Sequence, residues 1–318
     1  MSTGSEFGYV ADPHPFPDPR AIGDEAERMV AMLRLSAARA PEFARRHPQP
    51  DKVLEVGENT RAAVWAAEHA DLWWVSADMV SLAQAGAATL PDVPLYAASV
   101  PTPAGVAFLE CPLMGLDART GGQIEVAAIA WRVGLTNYSD ATRRPAVFIF
   151  CLMYGHLGGS FWTAAPRTDW FLEVPWSHQH GPAHEPYDVA SHQEDRRWVA
   201  TLWALASQEN LADVTLAMPP RAARRRAERA GRSPEVRVVN LRRTVYEGAG
   251  VAPPGTGHGP RVRFPVRGHW RNQPCGPGRT LRRPVFVAPH IKGPLGAPLK
   301  LGAKVTVHAL RGGPPGDE

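Results

Sequence analysis

Carboxylates all but disappear from the last third of this 318-residue chain. Residues 221–318 hold 5 of its 31 Asp and Glu but 20 of its 35 Lys and Arg, a formal charge of +15 that leaves −11 on residues 1–220. Between Glu247 and Asp317 there is no acidic side chain. Lysine is scarce too, at 4 of the 35 basic residues. A compositional drift toward arginine explains that scarcity, but not the loss of carboxylates from one region. A segment of this sign and density attracts polyanions, because each phosphate neutralised by Arg or Lys releases a condensed counterion.

Other absences narrow the class. Three widely spaced cysteines (Cys111, Cys151, Cys275) exclude a disulfide framework and suit a reducing cytoplasm. The most apolar run, Ala146–Tyr154, is far shorter than the roughly 20 residues a membrane helix needs. Met1–Pro19 is rich in Gly, Pro and Asp and lacks a charged-then-apolar leader, so a cytoplasmic location is expected. No Gly-x-Ser-x-Gly, His-Glu-x-x-His or Cys-x-x-Cys occurs, and Gly155–Ser160 fits no phosphate-loop pattern. There is no internal repeat and no heptad run.

What the basic region does contain is alternation. In Arg261–Arg271, a period of two places Arg261, Arg263, Pro265, Arg267, His269 and Arg271 on one face. Val262, Phe264, Val266, Gly268 and Trp270 fall on the other, as in a half-buried antiparallel strand. Pro265 donates nothing to a ladder and points to an edge or a bulge. Residues 236–245, 283–292 and 304–310 also read as strands, separated by Gly/Pro-rich turns. Ahead of them, Pro219–Gly231 reads as a short helix with prolines at its start and glycine at its end. The expectation is a basic helix followed by a small four-stranded antiparallel meander.

Upstream, helices are expected over 24–46, 59–90 and 189–209, and strands over 95–100, 105–114, 124–133, 146–154 and 170–174. Grouped helices and grouped strands indicate α+β. The expected organisation is a disordered arm over 1–22, an acidic α+β body over 23–210, a basic C-terminal module over 213–311 and a disordered tail over 312–318.

The runs Pro-Arg-Ala-Ala-Arg-Arg-Arg-Ala-Glu-Arg-Ala-Gly (220–231), Val-Val-Asn-Leu-Arg-Arg (238–243), Arg-Gly-His-Trp-Arg-Asn-Gln-Pro (267–274) and Leu-Arg-Arg-Pro-Val-Phe-Val-Ala-Pro-His-Ile-Lys-Gly-Pro (281–294) resemble a group of uncharacterised actinobacterial proteins with relatives in actinobacterial phages. Val100–Gly105 resembles the same group more faintly. The resemblance implies no activity and carries over no catalytic residue. A phage or mobile-element link is an association that favours work on nucleic acid.

Candidate sites follow from these patterns. Arg224, Arg225, Arg226 and Arg229 on the helix, with Arg261, Arg263, Arg267, Arg271 and Arg282 on the sheet, would contact phosphates, which positions a protein without reading sequence. Asn272 and Gln273 would touch base edges. Phe286 would stack a base, while Trp270 belongs to the core by register. An enzymatic alternative uses His269, His290 and Lys292 as base, acid and charge stabiliser in metal-independent ribonucleolytic cleavage, on a layout resembling small ribonuclease toxins. No cofactor is expected. A divalent metal at His178, His180 and His184 is a minor alternative, for which His-x-His spacing is workable. A third alternative is a protein-interaction module, with the basic segment docking on an acidic partner, on the chain's own acidic part or on a second copy. No membrane association is expected.

Overall fold

A computed structural model describes residues 18–46, 48, 50–116, 123–137, 143–155, 161–164, 168–174, 189–242, 262–294 and 297–300. Asp18 accepts a hydrogen bond from the Arg20 amide at 2.8 Å, and Pro19 opens a single 3₁₀ turn that leads into helix α1, Ile22–Ala44. Its buried apolar residues (Ile22, Ala26, Met29, Val30, Leu33, Ala37, Ala40, Ala44) recur mostly every three or four positions, so one stripe faces inward. Ile22, placed in a disordered arm by the sequence reading, is instead 1% exposed. Helix α2, Pro50–Glu68, starts on a proline, whose missing N–H costs nothing there.

The sequence expectation of one helix over 59–90 fails. The chain forms α2, then strand β1 (Asp71–Val75), then helix α3 (Ala77–Ala87). Leu72, Trp73, Trp74 and Val75 are all buried because β1 lies inside the sheet, covered on both faces. Ser76 turns the chain: its Oγ accepts from the Met79 amide at 3.4 Å, and the Glu110 carboxylate accepts from the Ala77 amide at 2.7 Å. After α3 comes a 3₁₀ turn at Ala97–Ser99, where a strand was expected. Three long strands follow, β2 (Ala104–Leu116), β3 (Gln123–Asn137) and β4 (Arg143–Gly155), and two short ones, β5 (Phe161–Ala164) and β6 (Thr168–Phe171), both paired with β4.

Helix α4 (Val189–Ala206), strand β7 (Ala212–Ala217), helix α5 (Arg221–Arg229) and strand β8 (Val236–Leu241) complete the main sheet, in the order β5-β4-β3-β2-β1-β8-β7. β1 runs parallel to both β2 and β8, while β2–β3–β4 and β7–β8 are antiparallel. The fold is therefore α+β, built on a mixed sheet. Leu72, Trp74, Phe108, Phe148, Phe150 and Val236 meet α1 and α2 in one apolar cluster. On the opposite face the Trp131 ring lies 6.0 Å from Trp73 and 5.4 Å from Trp203 of α4. Among the described residues, no helix is long and apolar enough to cross a membrane.

The expected C-terminal meander is not what forms. Val236, Val238 and Val239 are buried on both faces of β8, which suits a place inside the main sheet and not a half-exposed meander. The strand expected over 261–271 divides into β9 (Phe264–Val266) and β10 (His269–Cys275). That expected over 283–292 divides into β11 (Leu281–Val287) and β12 (His290–Lys292), with Ala288-Pro289 between them. β10 pairs with β11, and β9 with β12, as two separate two-stranded sheets. Residues 304–310 lie outside the described residues. The chain forms two compact units: one of residues 1–243 and 270–285, the other of 244–269 and 286–318, whereas the sequence reading set its boundary between 210 and 213.

Candidate nucleic-acid interface

Helix α5 owes its place to one small residue. Ala223 is 4% exposed, whereas Arg221, Arg225 and Arg229 are exposed and Arg224 is half-buried. Arg226 is not a free cation: its Nε donates to Glu27 Oε2 at 2.9 Å, and Nη2 pairs with Asp24 Oδ1. Arg232 adds a second contact to Glu27 at 3.5 Å. Two of the basic residues at this end of the chain are thus neutralised by acidic residues of α1. Arg237 pairs with Asp71 at 3.5 Å and lies over Trp73, and Arg242 pairs with Asp213 at 3.8 Å.

The β10–β11 ribbon is different. Arg271, Asn272, Arg279, Arg282 and Arg283 are all exposed, Gln273 is half-buried, and among the described residues none of these arginines meets a carboxylate. The turn between the strands, Gly276–Thr280, has positive φ at Gly276 (74°), Gly278 (62°) and Arg279 (57°). Glycine adopts that region freely, but an arginine there is held at a cost of about 1–2 kcal/mol. Arg282 Nη1 donates to the Arg279 carbonyl at 3.0 Å and the Leu281 carbonyl at 3.3 Å, which fixes the end of the turn. At the base, Trp270 Nε1 donates to the Gly86 carbonyl at 2.9 Å, and its ring lies against the space that a side chain at Gly86 would fill. The sequence assigned Trp270 to the core; it is a half-buried anchor on α3.

In the second unit, Phe264, Val266 and Gly268 are half-buried and Pro265, Arg267 and His269 exposed, as the alternation anticipates; Arg263 departs from it and is half-buried. Phe286 is only 6% exposed, and its ring occupies the space left by the absent side chain of Gly268, so it offers no face to a base. The β9–β12 register sets His290 beside Val266 and Lys292 beside Phe264, on the half-buried side of β9 and not on the side of Arg267. His269 lies beyond the break at Arg267–Gly268. Each imidazole Nδ1 is 3.1 Å from the carbonyl two residues before it, in the break ahead of its strand, Arg267 for His269 and Ala288 for His290, and no hydrogen bond joins the two rings. Arg261, His178, His180 and His184 lie outside the described residues; among those that are described, no group of three metal-ligating side chains forms.

Sequence reasoning missed a cleft of about 600 Å³ between α1, the end of α2 and the turn after α5. Its charges are satisfied internally: Arg34 pairs with Glu68, Arg232 with Glu27 and Arg237 with Asp71. His69 stacks on Trp65 at 4.7 Å with Nδ1 on the Trp65 carbonyl. The Cys111 thiol, between Glu110 and Asp78, is pushed up by burial first and by those two carboxylates second, the reverse of what a reactive thiolate requires. In the first unit, arginines with no carboxylate partner among the described residues gather on the ribbon (Arg271, Arg279, Arg282, Arg283) and on α5 (Arg221, Arg224, Arg225, Arg229), and the ribbon's signal in the sequence was the carboxylate-free stretch. No family model, curated protein or solved structure matches this chain.

Proposed function

We propose that this is a cytoplasmic nucleic-acid-binding protein whose contacts to phosphate centre on the β10–β11 ribbon, supplemented by Arg221, Arg225 and Arg229 of α5. One observation carries the reading: four exposed ribbon arginines (Arg271, Arg279, Arg282, Arg283) have no carboxylate partner among the described residues, on a structure otherwise rich in ion pairs. Arg226, Arg232, Arg237 and Arg242, by contrast, each pair with a carboxylate. An arginine kept at positive φ at the ribbon tip, where glycine would be less strained, supports the same reading.

The test uses the full chain, since β7 and β8 belong to the main sheet and a C-terminal fragment would split it. Four phosphate contacts give a slope of log affinity against log salt of about −4 on duplex DNA. Fluorescence anisotropy across a salt series reads it directly. A flat response, or no binding at low salt, refutes the proposal. The protein-interaction alternative draws on the Arg226 and Arg232 pairs with Asp24 and Glu27, which show basic residues after 220 already docked on acidic ones before it. It predicts that polynucleotides are ignored at any salt concentration.

A further inference from the structure

We infer that the β10–β11 ribbon is a major-groove reader, and that the ligand class is double-stranded B-form DNA. This rests on the nucleic-acid reading above and specifies it. The ribbon is a two-stranded sheet of its own, with seven residues in each strand. At about 3.3 Å per residue each strand runs for roughly 23 Å. Two strands about 4.8 Å apart, with their side chains, match the cross-section of an α-helix. The B-DNA major groove, about 12 Å wide, admits either element.

Exposure shows which part is available. The base is covered, with Trp270 on Gly86 and Pro284 and Val285 half-buried. Toward the turn Arg271 and Asn272 on one strand, Leu281, Arg282 and Arg283 on the other, and all of 276–280 are exposed. Gln273 and Cys275 are half-buried on one face of β10, so it is the face of Asn272 and Pro274, together with the turn, that stands open at that end.

The side chains present select among polyanions. Arginine matches the acceptor pair of guanine and an Asn or Gln amide matches adenine, whereas a purely electrostatic patch needs no amide. Asn272 is exposed in the middle of β10 between Arg271 and Gln273. Single-stranded nucleic acid is held by aromatic platforms as well as by charge. Residues 262–294 offer none: Phe264 is half-buried, Trp270 is docked and Phe286 is buried. Duplex RNA is excluded by shape, because the deep, narrow major groove of the A-form does not admit side chains.

The experiment compares a short mixed-sequence DNA duplex, the RNA duplex of the same sequence and the separate DNA strands, with methyl green as major-groove competitor and netropsin as minor-groove competitor. Expected are preference for the DNA duplex, displacement by methyl green and indifference to netropsin. Selection from a randomised duplex pool should then yield a base preference that Asn272→Ala relaxes, with a loss on the selected site of about 5- to 150-fold. Circular dichroism confirms that this exposed substitution leaves the fold intact. Equal affinity for all three polynucleotides, or displacement by netropsin and not methyl green, overturns the groove inference and leaves phosphate binding standing. A preference for single strands or RNA, or an Asn272→Ala protein with unchanged base preference, also overturns it. Absence of binding to every probe at low salt overturns the parent reading as well.

Discussion

Gly105→Ala is expected to be among the most damaging single-methyl additions in this protein. Gly105 lies on β2 directly opposite Trp131 of β3, and a Cβ built on it would sit 2.1 Å from Trp131 Cζ2 and 2.5 Å from Cη2. Carbon atoms rest at about 3.5–4.0 Å, so the indole must retreat by roughly 1.4 Å. It has nowhere to go. Trp131 is 1% exposed, flanked by Trp73 and Trp203, and tied through Nε1 to the Thr102 carbonyl at 3.1 Å. Overpacking costs about 1–3 kcal/mol, and a buried donor pulled off its acceptor adds about 1–3 kcal/mol. A loss of about 2–6 kcal/mol follows, read as a lowered urea midpoint at unchanged slope. Trp131→Leu is itself destabilising, but in the Gly105→Ala background it should cost at least about 1 kcal/mol less than it does alone. A Gly105→Ala loss under about 1 kcal/mol, or strict additivity in the double variant, would show that this side of the sheet repacks and refute the reasoning.

Three further substitutions separate binding from folding. Arg279→Gly removes the left-handed strain of about 1–2 kcal/mol and adds glycine's entropic cost of about 0.5–1 kcal/mol, so the melting temperature should hold or rise while DNA affinity falls. A fall in both would mean the residue serves the fold. Arg226→Ala should cost no more than about 1 kcal/mol of stability, less in high salt, and leave DNA binding unchanged. Arg283→Ala should leave stability unchanged and reduce the salt slope by about 1.

The long elements were legible because their periodicity is long. α1 shows a stripe of small and aliphatic residues, and β3 and β4 carry enough Val, Ile and Phe to read as strands. β1 was not legible, since Leu-Trp-Trp-Val buried on both faces has no period and merges with the Ala-rich helices around it. β8 misled for a related reason. Its Arg237 and Asn240 suggest a solvent face, but Arg237 lies over Trp73 and pairs with Asp71 in the main sheet. At the candidate interface, alternation identified the exposed residues Arg267, His269 and Arg271. It could not report that Gly268 and Pro289 divide both strands, nor which carboxylates neutralise which arginines. Those depend on contacts between residues some 200 positions apart, such as Arg226 with Asp24 and Glu27.

Trp270 connects the ribbon to its unit, and its removal should separate local order from global stability. An isolated two-stranded ribbon is marginal in water, so this one depends on what its base touches. One contact there is the indole on α3, with Nε1–H on the Gly86 carbonyl at 2.9 Å, at a point where Thr201 of α4 also approaches Gly86. Complete burial of a tryptophan is worth about 3–5 kcal/mol on truncation, and a half-buried one about half as much, so Trp270→Ala should release roughly 2 kcal/mol from ribbon docking. Amide exchange over 270–285 should then accelerate about 30-fold while amides of β1, β2, β3 and β4 keep their protection. DNA affinity should fall with it, because binding must first re-order the ribbon. Trp270→Phe, which keeps an aromatic ring and loses the donor, should lie between the two. Equal acceleration in the ribbon and the central strands would make Trp270 a core residue after all. No acceleration in either would mean that other contacts hold the ribbon in place, and the anchor would have to be sought elsewhere in the same unit.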